Sequence, residues 1–177
     1  VGATSVVTES LGGTSAVQPG GAGTVLVRDA ARPLGELLLR NDDLVGGRTP
    51  LEGTLELDRV EVADGTEAVA AAGSDVTVAG LVDVRQGGVL VLNGALTADA
   101  LNVRDGGRVR HDTGEAGFDL RVLGDLLVEE AALIDVTGRG YTPGTGPGAG
   151  GTGAYRIGGG GAAHAGDGGN SNGWNGS

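Results

Sequence analysis

A short repeated pattern constrains the fold of this chain more than any other feature. The strings VRQGGVL from Val84, VRDGGRV from Val103 and VEEAALI from Val128 share a valine, two polar residues and two small residues, with an apolar residue two positions further on. Looser versions begin at Val27 and at Val62. From Val62 onward the four valines are 22, 19 and 25 residues apart. Such recurrence predicts one small structural unit that is copied several times.

The repeated unit is built from strand-like runs. Each of the four strings follows a second run of alternating residues, such as Leu55-Glu56-Leu57 or Val76-Thr77-Val78, and alternation with a period of two is typical of β-strands with one buried face. A unit of two or three short strands cannot bury its apolar face alone, but stacked units can. The sequence therefore predicts an all-β chain, folded as a parallel β-solenoid with coils of about 20 residues. The alternative is an antiparallel β-sandwich, which also shows regularly spaced alternating strands.

In the solenoid interpretation, equivalent positions of the coils lie above one another. We expect Val62, Val84, Val103 and Val128 to form one inward-facing column of the core. Pairs of small residues mark the corners, and a bulky side chain there would collide with the coil above or below. The corner pairs are Gly87-Gly88, Gly106-Gly107 and Ala131-Ala132.

The composition changes sharply near Gly138. Residues 1–137 hold 32 of the 35 charged side chains, whereas residues 138–177 hold 17 glycines and three charges. We therefore divide the chain into solenoid coils over 1–137 and a glycine-rich tract over 138–177. Backbones without side chains can approach closely, so we expect the tract to be an ordered layer held by neighbouring chain, with a peripheral tail as the alternative.

Missing residue types exclude several kinds of site. The chain has no Lys and no Cys, so a phosphate-loop lysine, a Schiff base, a disulfide and a thiolate nucleophile are all excluded. The net charge of −11 argues against nucleic acid and anionic membranes as partners. No apolar run approaches the roughly 20 residues that a membrane-spanning helix needs. We expect no cofactor, no nucleic-acid partner and no membrane span.

The join between the two parts resembles a known class of protein. The stretch LRVLGDLLVEEAALIDVTGRG, which leads into YTPGTGPGAGG and GGGGAAHAGDGGN, is similar to segments of large extracellular bacterial proteins of the glycine-rich β-helix type. These are giant surface or adhesin-like proteins and some Rhs-associated proteins. The resemblance spans about residues 76–169, and Ile134, Asp135, Val136, Gly138 and Gly140 match its pattern of core and corner. It implies a bacterial protein that is extracellular or on the cell surface.

Several short motifs resemble reactive sites, but each has a simpler explanation. Asn41-Asp42-Asp43 is similar to the acidic cluster of solenoidal polysaccharide hydrolases, yet neither His111 nor His164 has a matching context, so we expect a polar turn. Gly146 to Gly151 fits the GxGxxG spacing through its glycine content alone. No further motif supports catalysis, and we expect no enzyme activity.

Charged residues suggest little more than surface contacts. The Gly-Asp steps around Asp167 are similar to calcium-binding β-rolls without their repeat, which leaves only weak binding of a divalent cation such as calcium. Alternation places Arg108 and Arg110 on one face of a strand, and we expect an outward face on which they meet acids of adjacent coils. The alternative is that these two arginines and His111 together meet an acidic partner.

These features together favour a structural or adhesive module that is a segment of a surface fibre. The alternative is a carbohydrate-binding or carbohydrate-active solenoid, in which Tyr141, Tyr155 and Trp174 would supply a stacking platform. The expected partners are other copies of the chain or the rest of a longer chain, with surface polysaccharide as a further candidate. Because neither end offers an amphipathic helix as a cap, we expect residues 138–177 and 1–24 to be held by neighbouring copies or by the rest of a longer polypeptide, in a linear, head-to-tail fibre.

Overall fold

A computed structural model describes residues 20–44, 46–113 and 119–140. These residues form thirteen β-strands and no helix. In chain order the strands are β1 (Thr24–Val27), β2 (Glu36–Leu39), β3 (Thr49–Leu51), β4 (Thr54–Leu57), β5 (Arg59–Val62), β6 (Glu67–Ala70), β7 (Asp75–Val84), β8 (Val89–Leu92), β9 (Ala95–Val103), β10 (Arg108–Arg110), β11 (Asp119–Val122), β12 (Leu126–Val128) and β13 (Leu133–Asp135).

The strands stack on three faces of a parallel β-solenoid. The first face contains β4, the first half of β7, the first half of β9, and β11. The second face contains β2, β5, the second halves of β7 and β9, and β12. The third face contains β3, β6, β8, β10 and β13. Four complete coils pass through the faces in this order, so the predicted parallel solenoid is confirmed and the antiparallel sandwich is wrong.

The core consists of aliphatic columns that run through successive coils. Val62, Val84, Val103 and Val128 are register neighbours on the second face, and Leu39 precedes them. The first three valines have no exposed surface, whereas Val128 in the last coil is 42% exposed. The expected column therefore exists in register, but its last member is only partly buried.

The turns between the second and third faces form a column of their own. The paired residues Asp64-Gly65, Gln86-Gly87 and Asp105-Gly106 have φ angles between 49° and 75°, as a type I′ turn requires. Each turn also bonds to the next, since the Gly65 and Gly87 amides donate to the carbonyl oxygens of Gln86 and Asp105, at 3.2 and 3.1 Å. The repeated strings are thus the sequence of a strand end, a tight turn and the start of the next strand.

Asn41-Asp42-Asp43 belongs to this column of turns. Asp42 and Asp43 have φ angles of 50° and 55°. The Asp43 amide donates to the carbonyl oxygen of Asp64 at 3.1 Å. The structure thus places the candidate acidic cluster in a turn, where its residues serve the backbone geometry of the first corner.

The two glycines of each corner pair have different roles. A Cβ atom on Gly88 or Gly107 would lie under 3.0 Å from the carbonyl oxygen of Val62 or Val84 in the coil below. A Cβ atom on Gly87 would meet nothing within 4 Å, so this residue serves the positive φ angle alone. In the two glycine pairs, the expected collision of a larger side chain with the neighbouring coil therefore applies to the second glycine and not to the first. In the alanine pair of the last coil, Ala131 has no positive φ angle.

The start of the stack is closed by a strand that runs the other way. β1 pairs with β2 in antiparallel fashion. The Thr49 hydroxyl donates to the carbonyl oxygen of Ala22 at 2.7 Å. Residues 20–24, which sequence reasoning assigned to contacts with neighbouring copies, therefore contact their own chain, while residues 1–19 and 141–177 lie outside the described residues.

The chain divides into two compact units. One comprises residues 1–112 and 117–136, and the other comprises 113–116 and 137–177. In the second unit the structure describes only Thr113 and residues 137–140, so the division of the chain at residue 137 and the ordered glycine-rich tract stay predictions. Among the described residues, none belongs to a helix with the length and apolar character needed to cross a membrane.

Candidate functional site

The outer surface of the second face carries two buried acids. Strand alternation turns Glu61 and Asp83 away from the core, yet they are only 4% and 0% exposed. They are register neighbours on adjacent coils. A buried carboxylate is costly unless a cation and hydrogen bonds compensate it, so the surroundings of these two acids decide what this surface can do.

Arginines from four coils surround the two acids. Arg104 donates two hydrogen bonds to Asp83, at 2.9 and 2.8 Å. Glu61 accepts from Arg40 at 2.7 Å and from Arg85 at 2.9 Å. A further arginine completes the group, which we call the ionic ladder: Arg40, Arg59, Glu61, Asp83, Arg85 and Arg104.

The surroundings of Asp83 in the ionic ladder favour its charged form. Burial alone would raise the pKa of Asp83, but the hydrogen bonds and charge of Arg104, helped by Arg85 and Arg59, outweigh burial and hold that pKa below its usual value. The same bonds raise the pKa of the Arg104 guanidinium. An acid held in this way is a poor proton donor or general base near neutral pH, so the ladder is suited to joining coils.

A second charged group, which we call the clasp, crosses the third face. Arg48 donates to Asp112 at 2.6 Å across 64 positions of the sequence, and both Arg48 and Arg110 contact Glu67 at 2.6 Å. Asn93 exchanges hydrogen bonds with Asp112, both at 2.9 Å. The hydrogen bond from Arg48, with others from Asn93 and Arg110, lowers the pKa of Asp112 against the effect of burial.

The clasp lies on a surface that is unexpectedly apolar. Val69 and Val91 point away from the core by strand alternation, yet they are only 9% and 0% exposed. Val91 is the register neighbour of Val69 on one side and of Arg110 on the other, in the outward row of the third face. We interpret the clasp as the polar margin of a small apolar patch on the outer side of this face.

The two arginines beside His111 lie as the sequence predicts. Arg108 is exposed and Arg110 meets Glu67 of an earlier coil, as expected for an outward face. His111 is only 7% exposed, and its Nδ1 atom lies 2.8 Å from the carbonyl oxygen of Asp112. Exposure thus alternates from Arg108 to His111, and the histidine is buried while the arginines form ion pairs or face water.

Other candidate residues lie outside the described residues. These are Tyr141, Tyr155 and Trp174 of the carbohydrate alternative, the GxGxxG-like tract, His164 and Asp167. The described ranges hold no aromatic residue, and in them no three His, Cys, Asp or Glu side chains are grouped as a metal site would require. The stacking platform and the weak divalent cation stay predictions.

Sequence reasoning missed the ionic ladder, although the sequence contains a signal for it. An arginine directly follows the column valine in both VRQGGVL and VRDGGRV, while Glu61 and Asp83 stand one residue before a column valine. When the coils stack, these positions become neighbours, so arginines and acids lie side by side at the end of the second face. The clasp has no such signal, because Arg48 and Asp112 stand at unrelated positions of the repeat.

Comparison with family models, with curated proteins and with solved structures finds no match for this chain. The similarity to glycine-rich β-helix surface proteins therefore remains a hypothesis based on sequence pattern.

Proposed function

We propose that this chain is a structural or adhesive module without enzyme activity, and that it forms a stiff segment of a fibre on a bacterial cell surface. The observation that carries the proposal is the ionic ladder, whose interactions join the four successive coils that contribute β2, β5, β7 and β9 to the second face. Glu61 binds arginines from the coils before and after its own. The ladder adds charge pairs to the backbone hydrogen bonds that already join neighbouring coils on all three faces.

Two further features support this role. The core columns and the column of turns run along the same axis as the ladder, so bending the stack would disturb all of them together. The net charge of −11 favours solubility of an extended surface. The location at the cell surface rests on the sequence resemblance.

The stiffness is testable by pulling single molecules from their ends. We expect Arg104→Ala to lower the unfolding force of the solenoid, because Asp83 loses its two shortest hydrogen bonds. The matched control is Arg121→Ala, since Arg121 in the last coil is 70% exposed and lies 3.4 Å from Asp119. Equal unfolding forces for both variants and the unmodified chain would contradict a mechanical role for the ladder.

The location and the activity need separate measurements. Immunogold labelling of the native cells is expected to mark extended surface material, and labelling confined to the cytoplasm would contradict the proposal. A glycan array and a panel of polysaccharide substrates test the alternative. Glycan binding that disappears when Tyr141, Tyr155 and Trp174 are replaced by Ala would favour a carbohydrate-binding module instead.

A further inference from the structure

The last coil that the structure describes, β11 to β13, carries exposed apolar side chains. Leu126 and Val128 continue the core columns, yet they are 53% and 42% exposed, and Leu133 is 47% exposed. Within the part of the chain that the structure describes, β11, β12 and β13 each pair with another strand on one side only. Exposed apolar surface along a strand edge is a site for association.

The backbone of β12 is also arranged for a further strand. The Glu129 amide donates to the Val103 carbonyl and the Asp125 carbonyl accepts from the Leu101 amide, both at 2.9 Å. Odd-numbered residues of this segment therefore bond to the coil below. In a parallel ladder the alternate residues bond on the other side, so the N–H and C=O groups of Leu126 and Val128 point to the open edge.

We propose that the open edge binds a second copy of this chain, so that two last coils meet across a two-fold axis through the centre of β12. The proposal rests on the proposed structural role, because it names the partner of a module that assembles by its ends. It replaces the head-to-tail contact with a symmetric one at this end of the stack.

The step of the solenoid selects the position of this axis. One coil rises about 4.8 Å, so β12 lies about a third of that rise beyond β11, and β13 about two thirds. A two-fold axis through β12 brings β12 against its own copy and exchanges the first and third faces. β11, the lowest strand of the coil, then meets β13, the highest strand of the other copy. In each of the three antiparallel pairs the two strands are separated by one coil rise. An axis at β11 would instead make β12 clash with the partner's β13, and an axis at β13 would leave a gap the width of a missing strand between β11 and the partner's β12.

The side chains at this contact are complementary. The arrangement allows Val122, which points inward, to pair with Ile134 of the partner subunit, whose position is also inward. In that register Arg121, which is 70% exposed, lies opposite Asp135 of the partner subunit. Leu123, which is 73% exposed, then lies opposite the partner's Leu133. The two-fold contact would extend the core columns and pair opposite charges at its margin.

Two other occupants fit the edge less well. In a head-to-tail contact, the last coil of one copy would pack on the first strands of the next copy. There β1 adds a strand to the second face alone, so the two copies would touch at β1 before β3 or β4 could pair. The chain's own residues 141–177 contain a single branched aliphatic residue, Ile157. They therefore offer almost no Val, Leu or Ile to continue the aliphatic columns of the last coil.

The symmetric contact makes a specific prediction for a cysteine placed on the axis. Leu127 is the central residue of β12 and would face the partner's Leu127 as a non-hydrogen-bonded pair, with Cα atoms about 4.5 Å apart, which suits a disulfide. Because the chain has no cysteine, the variant Leu127→Cys should give one covalent dimer on mild oxidation. The matched control is Thr77→Cys, since Thr77 is exposed in the middle of the first face and should give no specific dimer.

Sedimentation of the full chain provides the second readout. The unmodified chain should sediment as a dimer, and Leu126→Asp as a monomer with an unchanged circular dichroism spectrum. A monomeric unmodified chain, or fibres that form while Leu127→Cys fails to cross-link, would overturn the proposal and favour the chain's own tract or a head-to-tail contact. A monomer that is still a stiff module on the cell surface would overturn the two-fold contact alone and leave the proposed function intact.

Discussion

The two ends of the solenoid present the same core columns to very different surroundings. Leu39 and Val128 are the first and last members of one column, and they are 0% and 42% exposed. Leu37 and Leu126 end the neighbouring column, at 8% and 53% exposed. The difference follows from β1, which pairs with β2 at the start of the second face and has no counterpart beyond β12 among the described residues.

This difference shows that burial in a solenoid is supplied by the next coil. In a globular core a leucine is buried by contacts from many directions, whereas here each inward side chain relies on the coils directly above and below. The sequence pattern of Leu126 to Val128 is as apolar as that of Leu37 to Leu39. The pattern therefore predicts which way a side chain points, and only the neighbouring coil determines how deeply it is buried.

The largest expected effect concerns the coil spacing on which both ends depend. Gly107→Val would force a Cβ atom against the backbone carbonyl oxygen of Val84, and a backbone atom cannot move away cheaply. We expect a loss of about 4 kcal/mol in the free energy of unfolding, or failure to fold. Urea denaturation followed by circular dichroism measures it.

The matched control lies in the same turn. Gly106 has a φ angle of +75° and its nearest atom to an added Cβ is 4.0 Å away, so Gly106→Ala should cost only the backbone strain, about 1 kcal/mol. Equal losses for the two variants would mean that the close approach between coils at Gly107 is not real.

The second prediction compares the two ends of one column directly. Leu39→Ala removes a fully buried side chain beneath β1 and should cost about 3 kcal/mol, within the range for buried leucines. Val128→Ala removes a side chain that already contacts water and should cost less than about 1 kcal/mol in a monomer. A larger loss at Val128 that depends on protein concentration would show that the last coil is covered by another chain in solution.

The sequence was sufficient for the architecture because a solenoid is encoded locally. Each string of the form VRDGGRV contains a strand end, a tight turn and a strand start, and their recurrence places Val62, Val84 and Val103 in one column. The sequence also contained the ionic ladder, since the arginine after the valine recurs with it.

The rest depended on contacts that no repeat encodes. The antiparallel pairing of β1 was not predicted, because Thr24 to Val27 has the same alternation as a parallel strand. The composition of a strand does not indicate the direction in which it runs. The clasp joins Arg48 to Asp112, which differ in repeat position, and only the folded third face brings them together.

The third prediction tests the covered end through one carboxylate. Asp58 accepts hydrogen bonds from the Leu34 and Gly35 amides, both at 2.8 Å, and so ties the β1–β2 connection to the next coil. Asp58→Ala should cost about 1–2 kcal/mol, because two backbone donors lose their acceptor. Asp58→Asn keeps an acceptor oxygen and should cost less. Hydrogen exchange of β1 and β2 measures both, and unchanged protection in Asp58→Ala would mean that strand pairing alone holds the covered end.

The smallest expected effect is the response of the two regions to acid. Asp83 has a pKa lowered in the folded state, so its charge contributes stability above the unfolded pKa of about 3.9, and this contribution is lost as the pH falls through the lower folded value. The Asp119–Arg121 pair of the last coil is 53% and 70% exposed, and exposed pairs contribute little. Asp83→Asn should therefore reduce stability at neutral pH and flatten its decline below about pH 4, whereas Asp119→Asn, which breaks only an exposed pair, should change stability at neutral pH little. Urea midpoints measured at neutral pH and at several values below about pH 4 test both, and a steeper decline in Asp83→Asn than in the unmodified chain would show that acids outside the ladder dominate the acid response.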